Sequence, residues 1–272
     1  MSETTTLMNA DRAFPRLPTL SQAARLLALL GLAWGALVPN HTLAAEDKPL
    51  RVGISPVFPP MAFKQNKELA GVEVDLARGF GERLGRPVVF VPLPWEDQIA
   101  ALNANQIDII MSSMSITPAR GHVVAFTRPY FVLGQMALIR RDDRGRYALG
   151  FPQPLPGVVG VIKATTGEFL VQREFAKTKR KVFAKPEDAV SALKKKKIDL
   201  FISDSTLVWY LAGIHSGEGL SNVPMLLSEE PLGWAVRRGD EALLKAANDF
   251  IDRSVRDGSL VKVFRRWGAT GE

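Results

Sequence analysis

From residue 49 onward, short apolar runs alternate with stretches in which apolar residues recur every three or four positions. LRVGI (50–54), PVVFVPL (87–93) and IDIIMS (107–112) have the length of buried strands. Val74 to Leu84 and Trp95 to Asn103 have helical spacing, and Gly85 supplies a stop for the first. The order β-α-β-α-β predicts a mostly parallel sheet covered by helices, with right-handed crossovers. After a strand at Gln135–Arg140 and the polar stretch RRDDRGR (140–146), the pattern starts again. VVGVI (158–162), KVFA (181–184) and IDLFIS (198–203) read as strands, with helices at Glu168–Phe175 and Pro186–Leu193 between them. The echo of IDIIMSS (107) in IDLFISD (198) points to two similar α/β lobes. GWAVRRGD (233–240) and helices over Glu241–Ser254 and Leu260–Trp267 return to complete the first lobe. The chain therefore crosses between lobes twice, a two-strand hinge expected near Ala137–Arg141 and Ser228–Gly233.

The first 45 residues break this pattern. Arg12, Arg16 and Arg25 precede an apolar run from Leu26 to Val38, the build of a secretory signal and too short to span a bilayer. Small residues from Asn40 to Ala45 predict cleavage near Ala44 or Ala45, and Met8 is a candidate start. The expected location is the periplasm. The chain has 272 residues, 46% apolar and 23% charged, as in an ordinary globular protein. The absence of cysteine excludes disulfides, a thiol nucleophile, thiolate metal sites and a lipidated cysteine. The net charge of +7 becomes +6 without the signal, which carries three basic and two acidic residues. The densest basic run, Lys194–Lys197, has no aromatic platform beside it, so it reads as a solvated helix end and no nucleic-acid partner is expected.

No metal, cofactor or nucleophile motif appears: there is no HExxH, no GxSxG and no phosphate loop after a strand. The candidate chemistry lies elsewhere. In IIMSSMSITPARGHVVAFTRPY (109–130), a strand leads through a serine turn to Thr117–Pro118, a helix start that carries Arg120 in its first turn. A guanidinium there suits a carboxylate. In VIKATTGEF (161–169), Thr165, Thr166 and Gly167 offer further donors at a strand end. Asp204, after the strand 198–203, is a natural partner for an ammonium group. By itself each stretch also fits helix capping or a surface ion pair. Together they lie where ligands collect in α/β sheets, and a zwitterion satisfies an arginine from one lobe and a carboxylate from the other.

Five segments, GVEVDLARGFGERLG (71–85), WEDQIAALNANQIDIIMSSMSITPAR (95–120), VAFTRPY (124–130), KATTGEF (163–169) and IDLFISDS (198–205), occur in an order and spacing that resemble the family 3 extracellular solute-binding proteins of polar amino-acid ABC importers. The resemblance covers about residues 48–268. It implies a two-lobed periplasmic-binding-protein fold (type II, Venus flytrap), with lobe 1 over 48–138 plus 232–270 and lobe 2 over 142–228. It implies ligand-carboxylate binding by Arg120 and Thr166, ammonium binding by Asp204, and contacts from Ser113 and Ser115. Phe58 and Trp95 match the ligand-sandwiching walls. Ser55 falls where many members that bind cationic or amide side chains carry an aspartate, and Lys163 where several place a side-chain reader. Those two positions favour a neutral polar or acidic amino acid over a basic one, unless Glu96 or Glu230 reaches the cleft. A monomer that delivers a small amino acid to an ABC permease is the expected assembly; a membrane sensor as partner is an alternative. A cyclohexadienyl dehydratase-like enzyme is the other alternative, with Glu168 as its proton donor.

Overall fold

A computed structural model describes residues 48–151, 155 and 157–269; the expected signal segment, 1–45, lies outside them. Two five-stranded sheets form the framework. The first contains β1 (Leu50–Ile54), β4 (Val88–Pro92), β5 (Ile109–Ile110), β6 (Ala125–Phe126) and β14 (Ala235–Val236), in the order β4-β1-β5-β14-β6. The second contains β8 (Gln135–Arg140), β9 (Val158–Ile162), β10 (Lys179–Phe183), β11 (Leu200–Asp204) and β12 (Leu220–Asn222), in the order β10-β9-β11-β8-β12. Each sheet is parallel over three strands and antiparallel across its return strand, β14 or β8. The echoing IDII and IDLF segments are the central strands β5 and β11. A small hairpin, β2 (Phe63–Gln65) and β3 (Glu68–Ala70), stands apart.

Helices cover both faces of each sheet. Val72, Leu76, Ala77 and Phe80 put one face of helix α1 (Val72–Leu84) into the first core, and Gly85 ends it in a left-handed conformation (φ 66°). The C-terminal helices Glu241–Arg256 and Ser259–Arg266 join the same core through Leu243, Ala247, Ile251, Leu260 and Phe264. Trp234 is fully buried at its centre, against Phe80, Tyr130 and Phe250 at ring separations of 5.8, 5.4 and 5.9 Å. On the other face, helix Gln98–Asn103 covers Ile107, Ile110 and Met114. The second sheet is covered by helices Pro186–Lys194 and Ser205–Ile214 on one side. Helix Thr166–Glu174 and the 3-10 turn Arg141–Tyr147 cover the other.

The first crossing differs from the expected hinge, while the second falls within Ser228–Gly233. Strands β7 (Phe131–Leu133) and β13 (Glu230–Leu232) pair antiparallel and link the two sheets. All of Gln135–Arg140 belongs to the second sheet, between β11 and β12. The first crossing is therefore at Gly134, ahead of Ala137–Arg141, and a lobe boundary at 138 would cut a strand. Periodicity hides this, because the apolar runs of β7 and β8 are separated only by Gly134 and Gln135. A Cβ on Gly134 would lie 2.0 Å from the carbonyl oxygen of Ser228. Gly134→Ala is expected to force the two crossing strands apart and to cost about 1–3 kcal/mol. A denaturant midpoint equal to that of the wild type would refute this.

Candidate ligand-binding cleft

The chain segments at the carboxyl ends of the central strands meet between the two sheets. From the first sheet come Ser55, after β1, and the turn Ser112–Ser115, after β5. From the second come Lys163–Thr165, after β9, and Asp204, the last residue of β11. Their convergence leaves a narrow cleft of about 290 Å³, part of it open to solvent, lined by Phe58, Trp95, Ser112, Ser113, Ser115, Thr165, Thr166 and Asp204.

The serine turn is rigidly held. Ser113 is left-handed (φ 56°), and its amide donates to the Glu73 carboxylate at 2.5 Å. Glu73 is fully buried and also accepts from the Tyr130 hydroxyl at 2.5 Å and from Trp234 Nε1 at 3.2 Å. Burial pushes its carboxyl pKa up, and these donors oppose the shift. The neighbouring Ser112 hydroxyl accepts from the amide of Ser55 at 2.9 Å and from Gln98 Nε2 at 3.0 Å. The turn thus hangs from the first core by side chains far away in sequence.

Arg120 sits in the four-residue helix Pro118–Gly121, whose N-cap Thr117 accepts from the Arg120 amide at 3.3 Å. Its guanidinium donates to the Ser115 carbonyl at 2.9 Å and, at 3.5 Å, to the carbonyl of Ala164 in the other lobe. It stacks over Trp95, with Cζ 5.2 Å from the ring centroid. Burial lowers its pKa, while Asp204 and Glu230 hold it up. Asp204 accepts from Gln135 Nε2 at 2.7 Å. Burial and the charge of Glu230 push the Asp204 pKa up to about 6, against the Gln135 hydrogen bond and the charge of Arg120. Gln135 Nε2 also donates to Thr166 Oγ1 at 3.2 Å.

Seven of the nine sequence-identified positions meet here. Ser113, Ser115, Thr166, Asp204, Phe58 and Trp95 line the enclosed space, and Arg120 adjoins it. Phe58 and Trp95 face each other edge to face, 6.2 Å apart. The other two stand outside the lining. Ser55 is buried and bonded through its backbone to Ser112. Lys163 is exposed and paired with Glu96 at 3.1 Å. Its charge is therefore already matched across the lobes, which removes it as a repulsive element against basic ligands. Glu168 is turned away as well: it accepts from the Ala164 amide at 2.8 Å and lies 3.7 Å from Arg180.

The sequence pattern gives no sign of Gln135 or Glu73 as parts of this site. Glu230, named with Glu96 as a carboxylate able to reach the cleft, is buried against Ser115. Glu73 stands in the first turn of a helix, where an acidic residue is ordinary. Gln135 begins an apolar strand and carries no spacing signal.

Among the described residues there is no group of three or more potential metal ligands, and no helix long and apolar enough to cross a membrane.

Comparison with known proteins agrees with this architecture. The L-cystine-binding protein TcyJ of Escherichia coli (strain K12) is 26% identical over 253 residues, which cover 88% of this chain and 94% of TcyJ. An ancestral arginine-binding protein, solved with arginine bound, superposes with a TM-score of 0.74 at 30% identity, covering 80% of this chain and 97% of that one. An ancestral arginine-binding protein solved with glutamine bound gives a TM-score of 0.74 and 30% identity, covering 82% of this chain and 98% of that one. These relatives are substrate-binding proteins, not enzymes. The model of the bacterial extracellular solute-binding proteins, family 3, matches residues 50–270, and the chain belongs to that family, as an amino-acid-binding component of ABC transport with the two-lobed type II fold.

Proposed function

We propose that this protein clamps one α-amino acid between its lobes, with Arg120 holding the carboxylate and Asp204 the ammonium group. The observation that carries this reading is the approach of two opposite charges from the two lobes: Asp204 lines the space between the sheets, and Arg120, bonded to the Ser115 carbonyl beside it, is near enough that each charge favours the other's ionised form. Thr166 donates to the ligand carboxylate, Ser113 and Ser115 complete the polar shell, and Phe58 and Trp95 pack against the ligand's apolar faces. Closure follows from contacts that exist in both lobes only when these are together.

For the side chain we favour a neutral polar end. Ser55 brings no carboxylate to that part of the cleft, and the Lys163–Glu96 pair has no net charge. The same pairing weakens the case for an acidic ligand. The ancestral relative was solved with a neutral and with a basic amino acid, so both belong in the test. Titration calorimetry against neutral polar, acidic and basic amino acids is expected to give tightest binding in the first group. Tight binding confined to arginine or lysine would overturn the side-chain assignment, and no binding by any of them would overturn the clamp.

The Asp204 pKa of about 6 makes a further prediction. Its ionised form is the one that holds an ammonium group. Affinity should be level above pH 7 and fall roughly tenfold per pH unit well below 6, with proton release on binding. The empty protein responds in the opposite sense: a carboxyl whose folded pKa is raised favours folding as pH falls from above 6 towards 4. Ligand-induced increases in melting temperature should therefore shrink with acidification, although the contribution of Asp204 to the empty protein's stability rises over the same range. A flat affinity profile between pH 8 and pH 4.5 would remove Asp204 from its assigned role.

The loaded, closed monomer is delivered to an inner-membrane permease, after a signal ending near Ala44 or Ala45 has been removed in export to the periplasm. The lobes divide at the paired crossings around Gly134 and Ser228–Glu230, with 48–133 and 231–269 in one and 135–228 in the other. Intact mass of the exported protein and its co-purification with a permease test these assignments.

A further inference from the structure

We propose that Glu230, in the crossing strand β13, is a positioning residue that joins the ligand-facing groups of the two lobes through one continuous hydrogen-bonded path across the hinge. The inference rests on the clamp reading above. The path starts at Ser115, which donates from Oγ to Glu230 Oε2 at 2.6 Å. Ser228 donates from Oγ to Glu230 Oε1 at 2.7 Å. The same Ser228 oxygen accepts from the Gln135 amide at 2.9 Å. The Gln135 side chain then reaches Asp204 at 2.7 Å and Thr166 at 3.2 Å. Ser115, Glu230 and Gln135 are buried and Ser228 is half-buried, so water competes least at the Ser115–Glu230 end and most at Ser228.

The path crosses just beyond the end of the paired strands, where the Gly134 backbone packs against the Ser228 carbonyl too closely to leave room for a Cβ. Rotation of one lobe against the other must pass through the torsions of these residues. Such rotation disturbs the Ser228–Glu230 and Ser228–Gln135 links before any contact deeper in either lobe. Glu230 is thus placed to favour one relative setting of Ser115 and Asp204.

The path also decides what Ser115 offers to a ligand. A carboxylate only accepts, so the single hydroxyl proton of Ser115 is committed to Glu230. Ser115 Oγ faces the enclosed space as an acceptor, suited to the ammonium end of an amino acid. Glu230 further adds a negative charge that disfavours ionised Asp204, against Arg120; the buried phenol of Tyr130 is the remaining titratable neighbour.

Two substitutions separate these effects. Glu230→Gln keeps the shape and lets both hydroxyls rotate to remain bonded, but removes the charge. Glu230→Ala breaks the path. Carbon-13 NMR of the empty protein should show the Asp204 midpoint of Glu230→Gln at least about half a pH unit below that of the wild type. Spin labels on Glu82→Cys and Lys195→Cys report the lobe-to-lobe distance, free of background because the chain has no cysteine. The distance distribution should be unchanged in Glu230→Gln and roughly 1.5-fold or more broader in Glu230→Ala. Ser228→Ala, which cuts the same path at its middle, should broaden it too and serves if Glu230→Ala does not fold. An unmoved midpoint in Glu230→Gln, or an unchanged distribution in the path-breaking variants, overturns the proposal. The clamp reading fails separately: Asp204→Asn that binds L-glutamine and L-arginine as the wild type does would sink it without touching the NMR or distance results.

Discussion

Arg120→Met is expected to lower amino-acid affinity by a factor of about 30 to several thousand, the range for truncating one partner of a buried, hydrogen-bonded charge pair. The loss has two sources. The ligand carboxylate loses its cation in a site where little water can replace it. Asp204 and Glu230 are then left without the positive charge that offsets them, so the Asp204 pKa should climb further above about 6 and less of it will be ionised at neutral pH. Methionine retains much of the stem that lies against Trp95, so packing changes least. Calorimetry gives the affinity, and thermal unfolding of the empty protein serves as control. Retained affinity would show that the carboxylate is held elsewhere.

Trp234→Ala carries the largest expected cost to the fold. The indole is completely buried between three aromatic rings, and truncation of such a side chain costs about 3–5 kcal/mol. It also removes a donor from Glu73, a buried carboxylate whose remaining donors are Ser113 and Tyr130. The damage therefore reaches the serine turn: amino-acid affinity should fall along with stability. Trp234→Phe separates the two parts, since it keeps a ring but leaves Glu73 short of one hydrogen bond, at about 1–3 kcal/mol. Denaturant unfolding with and without ligand checks both. Equal midpoints for Trp234→Ala and the wild type would contradict the packing argument.

Much of this architecture is written locally. Five-residue apolar runs such as 50–54 and 158–162 have no alternative to burial, and helix starts at Thr117–Pro118 and Thr165–Thr166 are stated by their own side chains. The repeated IDII and IDLF segments mark equivalent central strands in two sheets of equivalent order. What pattern reading misplaced was the first crossing. β7 and β8 share one apolar character, and only the approach of Ser228 to Gly134, from 94 residues further along, separates them. The same limit applies to Lys163, whose charge is paired with Glu96, 67 residues away in the chain.

The alternation of strands and helices, the two-lobed plan and the residue types at the strand ends, Arg120 and Asp204 among them, can be read along the chain, because each depends on periodicity, capping or a motif within a few residues. Where the chain passes between lobes, which charges are matched, and the support that Glu73, Gln135 and Glu230 give the cleft follow from long-range packing. Burial and pairing of a charge depend on neighbours brought from distant parts of the chain: Glu73 meets Trp234 across 161 residues, and Glu230 meets Ser115 across 115. No local pattern records such meetings, and it is they that set the electrostatics of the site.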